Sequence, residues 1–192
     1  WAADPDFVES TVDVDGTTLR LVHQADPALD SNWTALAQYA ADAMAFINED
    51  IGPYAYPEYN VVQGGDGGME YPMLTLITGD RSLRSLVGVT VHEMAHSWFQ
   101  AMVATNESLH EWMDEGFTSW AESRAMASLF ADPMKPNENP HRWAYSSYIN
   151  HHLSGKEEPL ATHADHYKTN RAYGVAAYSK GEVLVEQLGA IV

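Results

Sequence analysis

The chain has 192 residues, 45% of them hydrophobic, with 27 acidic against 10 basic side chains and a formal net charge of −17 at pH 7. That charge would be repelled by a phosphate backbone or an anionic lipid surface, which argues against nucleic acid and acidic membranes as partners. No run of 18 apolar residues is present to span a bilayer, and the lack of cysteine leaves histidines and carboxylates as the only strong metal ligands.

Residues 1–10 read as a linker broken at Asp4-Pro5-Asp6. From Thr11 to Val22 apolar residues alternate on either side of Asp15-Gly16, the pattern of a hairpin with a tight turn. Ser31 is a candidate N-cap for a helix reaching about Asn48, with Trp33, Leu36, Ala37, Ala40, Met44 and Ile47 as its apolar stripe, and Gly52-Pro53 stops it. Tyr59 to Gln63 reads as a short strand, residues 64–68 as a flexible glycine-rich turn, and Met69 to Thr78 as a further strand. Pro72 confines that strand to a sheet edge, where a peptide can lie down by strand addition.

A long helix is expected from Ser82 to Ala104, with Leu83, Leu86, Val87, Val91, Met94, Trp98 and Met102 on its main face. Val89, Phe99 and Val103 lie off that stripe, so the helix should be central. Further helices are expected at Trp112–Phe130, His141–Leu153 and Val175–Leu188, separated by a loop with Pro133, Pro136 and Pro140 and by a polar connection from Gly155 to Lys168. Strands come first and helices after, which predicts an α+β fold. The expected organisation is one domain over 1–192: a linker (1–10), a strand-rich part with one helix (11–80) and a helical part (81–192). Residue 1 is Trp and no signal-like start follows, so a piece of a longer protein is expected.

The chemistry centres on Val91-His92-Glu93-Met94-Ala95-His96-Ser97-Trp98. Histidines four apart on a helix share a face and can hold one zinc ion, while Glu93 is turned partly away and can reach a water beside the metal. Catalytic zinc usually has three protein ligands, and Glu115 is the best third. The 18 residues between His96 and Glu115 leave room for a loop and a helix reversal, and Trp112, Phe117 and Trp120 around it argue against a merely solvated face. Glu122, seven residues further along the same face, can accept a hydrogen bond from a ligating histidine. His151 and His152 point to different helix faces and do not make a metal pair, and His163 and His166 read as solvated.

HEMAHSW, then 18 residues, then the glutamate of WMDEGF resembles the gluzincin aminopeptidases, a family that includes aminopeptidase N and the leukotriene-hydrolysing aminopeptidases. Gly67-Gly68-Met69-Glu70 resembles that family's GxMEN motif, with Tyr71 in place of the usual Asn. Tyr178-Ser179-Lys180-Gly181 resembles its YxKG segment. Together these motifs span residues 67–181 in the family's order.

The resemblance implies a thermolysin-like catalytic domain, a small mixed β-sheet followed by a mostly helical lobe. It implies one zinc per chain on His92, His96 and Glu115, with Glu93 as general base and Tyr178 as donor to the oxyanion. Glu70 would hold the substrate's α-ammonium, Gly67, Gly68 and Met69 would line the peptide, and Tyr173 would line the same site. The expected substrates are peptides with a free N-terminus. Family members are larger, so flanking domains of a parent protein are expected outside this chain. The alternatives are an endopeptidase, which has no use for Glu70, an epoxide hydrolase, which would require a long lipid pocket, and a non-catalytic binding module on a peptidase fold.

Overall fold

The computed structural model describes residues 2–136 and 138–191. They form two compact units, one running to Ser97 and the other starting at Trp98.

The first unit is built on a five-stranded mixed sheet in the order β1-β2-β3-β5-β4. Strands β1 (Phe7–Val14) and β2 (Thr17–Gln24) are antiparallel, joined at Asp15-Gly16, where φ is +52° and +86°. Positive φ at both turn residues is the geometry that lets a two-residue hairpin follow the strand twist. The expected linker therefore ends earlier than residue 10, because Phe7 already pairs with Gln24. Helix α1 (Asp30–Asp50) crosses from β2 to the parallel strand β3 (Glu58–Gln63), one βαβ unit within an α+β fold. Strand β5 (Leu74–Ile77) runs parallel to β3, and β4 (Met69–Tyr71) antiparallel to β5 at the sheet edge.

The single strand expected over Met69–Thr78 is thus two. Pro72 and Met73 form the turn between them, with Met73 at φ +61°; proline followed by a residue with positive φ is turn chemistry and breaks the ladder. The edge position expected for this segment holds. Among the described residues β4 pairs only with β5.

Helix α2 (Leu83–His96) packs with α1 and against β4 and β5. The core of this unit joins Leu19, Leu21, Val61 and Ile77 of the sheet to Trp33, Leu36, Met44 and Ile47 of α1 and Leu86, Val87, Val91 and Met94 of α2. That packing is why the strand-rich part extends to residue 97 and not to 80. The HExxH segment belongs to it.

Helix α2 continues as a π-helical segment, Ser97–Met102, within which the chain passes from one unit to the other. The expected helix over 82–104 therefore ends in a wider turn, and Met102, placed on its apolar face, is 36% exposed.

In the second unit, α3 (Glu111–Leu129) packs on α6 (Gly181–Gly189) and on a second π-helical segment, Val175–Lys180. Helices α4 (Arg142–Leu153) and α5 (Asn170–Gly174) flank that segment, which buries Val175, Ala176 and Ala177. The last expected helix, Val175–Leu188, is therefore a π segment running into an α-helix. His141 is buried at the start of α4, with Nδ1 2.8 Å from Glu182 Oε1 and Nε2 3.1 Å from Glu186 Oε2. No helix among the described residues is long and apolar enough to cross a membrane.

Candidate active site

In the first unit, α2 carries His92 and His96 one turn apart, with their Nε2 atoms 3.3 Å from each other and their rings 82° from coplanar. Bonds of about 2.0–2.1 Å at a tetrahedral angle put two nitrogens roughly 3.3–3.4 Å apart, so this pair has the spacing at which both can ligate one ion. His96 is buried and His92 half-buried.

Glu93 is buried, 6% exposed, and faces the glycine-rich turn that leads into β4. A Cβ on Gly68 would lie 2.2 Å from Glu93 Oε1 and 2.9 Å from Val89 Cγ2, so any side chain there would have to displace the carboxylate. Glu70 on β4 completes the cluster. It, Glu93 and His96 each offer a ligand atom within 4.8 Å of the others. Two carboxylates so close repel one another unless a cation lies with them. Met69, expected beside the peptide, is exposed on the edge strand, and Gly67 is exposed in the turn.

Two residues of this unit escaped the sequence reading. Tyr59 on β3 is 1% exposed. Burial pushes its phenol well above the usual range, and the charges of Glu93 and Glu70 push it the same way. Arg81, just before α2, donates from Nη2 to the Gly67 carbonyl at 2.5 Å and from Nε to Thr78 Oγ1 at 3.1 Å. A tyrosine opening a strand reads as core, and an arginine before a helix reads as solvated; no local spacing marks either.

In the second unit, Glu115 lies half-buried on the first turns of α3, and Tyr178 Oη donates to its Oε1 at 2.7 Å. The contact depends on two glycines. A Cβ on Gly116 would fall 2.7 Å from Gly181 Cα, and one on Gly181 2.8 Å from Gly116 Cα, so the two helical segments touch backbone to backbone. Tyr178 sits in the π segment, a local widening that often marks functional sites. Lys180 in the same segment is paired with Glu157, whose carboxyl is held down at about 2 by hydrogen bonds from His152 and then Lys180. Tyr173 is half-buried; burial raises its phenol, and the charges of Glu115, Glu111 and Asp114 raise it further. Its ring packs edge-on against Tyr167, with centroids 5.7 Å apart. Glu122 is half-buried two turns along α3 from Glu115.

Residues 37–192 match the profile of the Peptidase family M1 domain. Leucine aminopeptidase 2 of Emericella nidulans is 40% identical to this chain over 92 residues, 45% of the chain and 15% of that protein. Aminopeptidase B of Mus musculus is 36% identical over 121 residues, 57% of the chain and 18% of that protein. In the solved structure of an M1 zinc metallopeptidase from Deinococcus radiodurans bound to a Tyr-Ser-Ala substrate, the likeness has a TM-score of 0.65 at 19% identity, over 95% of this chain and 40% of that one. The chain thus spans a fifth or less of the length of these curated relatives.

Proposed function

The chain belongs to peptidase family M1, and from that premise we propose that it carries the catalytic residues of a zinc aminopeptidase. The observation that carries this reading is the 3.3 Å approach of the His92 and His96 Nε2 atoms, on the helix whose buried Glu93 faces the Gly68 turn. With Glu115, these histidines make the ligand set of the family resemblance, and one zinc per chain is proposed on them. When bound, zinc supplies Lewis acidity and lowers the pKa of a water at the site.

Glu93 takes the proton of the attacking water and returns it to the leaving amine. Its burial beside the Gly68 turn limits competing solvent at the carboxylate. Glu70 binds the α-ammonium of the substrate by a charge-assisted hydrogen bond. In a peptide the α-nitrogen and the carbon of the scissile carbonyl are about 2.5 Å apart. A carboxylate within 4.8 Å of the general base is thus at the reach an exopeptidase needs. The unpaired side of β4 offers main-chain groups to an extended peptide, alongside Gly67, Gly68 and Met69.

Tyr178 donates to the oxyanion that develops on the carbonyl. Burial and the acidic groups around Tyr173 keep that neighbouring phenol protonated, which suits it to line the same site. Glu122 is proposed to orient a ligating histidine.

The test is a panel of aminoacyl-fluorophore substrates, with N-acetylated versions as controls, run with and without chelator. Chelator-sensitive cleavage of the free-amine substrates only is expected. Equal cleavage of blocked and free substrates would replace the aminopeptidase with an endopeptidase, and stoichiometric zinc without any cleavage would favour a binding module.

A further inference from the structure

We propose that Arg81 is a positioning residue that holds the glycine-rich turn in its peptide-binding shape and so sets substrate affinity; this rests on the aminopeptidase reading above. The turn is Gly64-Gly65-Asp66-Gly67-Gly68, four glycines in five residues. A chain so composed has the largest backbone freedom to lose on ordering. The β4–β5 ladder fixes it from Met69 onward, and Gly64 N donates to the Ile77 carbonyl at 2.8 Å at its start. Between these points Arg81 ties the turn down, its Nη2 donating to the Gly67 carbonyl at 2.5 Å.

The guanidinium is itself held. Nε donates to Thr78 Oγ1 at 3.1 Å, Nη1 to Ser85 Oγ at 3.4 Å, and the Arg81 carbonyl accepts from Asn32 Nδ2 on α1 at 3.0 Å. A planar fork with fixed donors can hold a hydroxyl with one arm and a carbonyl with the other; an ammonium on a flexible stem cannot hold both in one geometry. The turn is therefore gripped at Gly67 by Arg81 and seated at Gly68 against Glu93. The two residues that follow are Met69 and Glu70, so the same tie fixes where the substrate's ammonium partner begins. The guanidinium bonds Gly67, Thr78 and Ser85 and not the histidines, so its loss should be felt in binding and not in the chemical step.

The experiment compares wild type, Arg81→Gln and Arg81→Lys by three readouts: KM and kcat on a free-amine peptide, zinc content, and amide hydrogen exchange over residues 64–71. Arg81→Gln is expected to raise KM about tenfold, the scale of one lost charge-assisted bond, with kcat within about threefold. Exchange in the β4 ladder that the turn leads into, Met69–Tyr71, and at the Gly64 amide should speed up by about tenfold or more, with zinc content and melting temperature kept. Arg81→Lys should fall between wild type and Gln. Unchanged KM and exchange in an active enzyme would overturn the proposal, and so would parallel loss of kcat, KM and zinc, the signature of a merely structural residue. If the wild type cleaves nothing, the aminopeptidase reading fails instead, and the exchange data alone judge whether Arg81 orders the turn.

Discussion

The Tyr178 hydroxyl donates to Glu115 Oε1 at 2.7 Å, so the residue assigned as oxyanion donor has its proton on the residue assigned as metal ligand. A phenol has one proton to give and cannot serve a carboxylate and an oxyanion at once. Its catalytic role therefore requires it to leave Glu115 as charge develops on the substrate. Tyr178→Phe should lower kcat by about 10²–10³, the usual cost of one oxyanion donor. KM should change little, and zinc affinity should fall by less than about tenfold. Rate measurements at matched zinc occupancy check this, and a kcat within about threefold of wild type would remove Tyr178 from the chemistry.

The same contact predicts a stability effect at a distance from it. Gly116 and Gly181 leave no room for a methyl group, and what each would strike is backbone, which cannot swing aside. Gly181→Ala should destabilise the chain by about 1–3 kcal/mol through overpacking. It should also push the π segment off α3, and with it Tyr178 off Glu115. Urea unfolding gives the first effect and kcat the second, and the two should fall together.

Glu70 lies close enough to Glu93 and His96 to be mistaken for a metal ligand. If it holds the substrate's ammonium instead, Glu70→Ala should keep zinc at one per chain while free-amine peptides lose about tenfold to a hundredfold in kcat/KM. Preference for free over N-acetylated peptides should shrink accordingly. Metal analysis beside the paired substrates separates the two roles, and loss of zinc in this variant would make Glu70 a ligand.

Tyr54 and Tyr59 carry a pH signature. Burial is the main cause of the upward shift in both, with the Glu93 and Glu70 charges adding at Tyr59. In the unfolded chain these phenols ionise near pH 10, while in the folded protein they stay protonated beyond it. Above about pH 10 the folded state thus binds more protons than the unfolded one, so stability is full below that pH and falls as pH rises toward the folded values. Denaturation midpoints measured across this range should decline, and Tyr59→Phe should flatten the decline. An equal slope in the variant would show that Tyr59 ionises freely in the fold.

How much of this was legible in the sequence depends on how local each relation is. His92, Glu93 and His96 lie within one helical turn and a fraction, and their spacing puts the two histidines on one face, where the structure brings their Nε2 atoms to 3.3 Å. The edge position of Met69–Tyr71 followed from Pro72, yet the break into two strands did not, because the positive φ at Met73 carries no glycine to announce it. The π segments at Ser97–Met102 and Val175–Lys180 keep the apolar spacing of ordinary helix closely enough to pass as one. Gly181 was visible only as the last letter of a motif. Its physical reason is Gly116, 65 positions away in a different helix, and contact between them is a property of packing. Arg81 and Tyr59 were silent for the same cause: what makes them matter is the Gly67 carbonyl and the Glu93 carboxylate, and neither stands at a helical or strand spacing from them.

The most direct test of the central claim is cleavage of an aminoacyl-fluorophore by wild type and by Glu93→Gln at equal, measured zinc occupancy. Both proteins are expected to hold one zinc. Wild type should lose activity to a chelator and regain it with added zinc, and Glu93→Gln should fall by about 10²–10⁴ in kcat, the range for a positioned general base. Cleavage that survives the chelator, or a Glu93→Gln variant as active as wild type, would contradict the account.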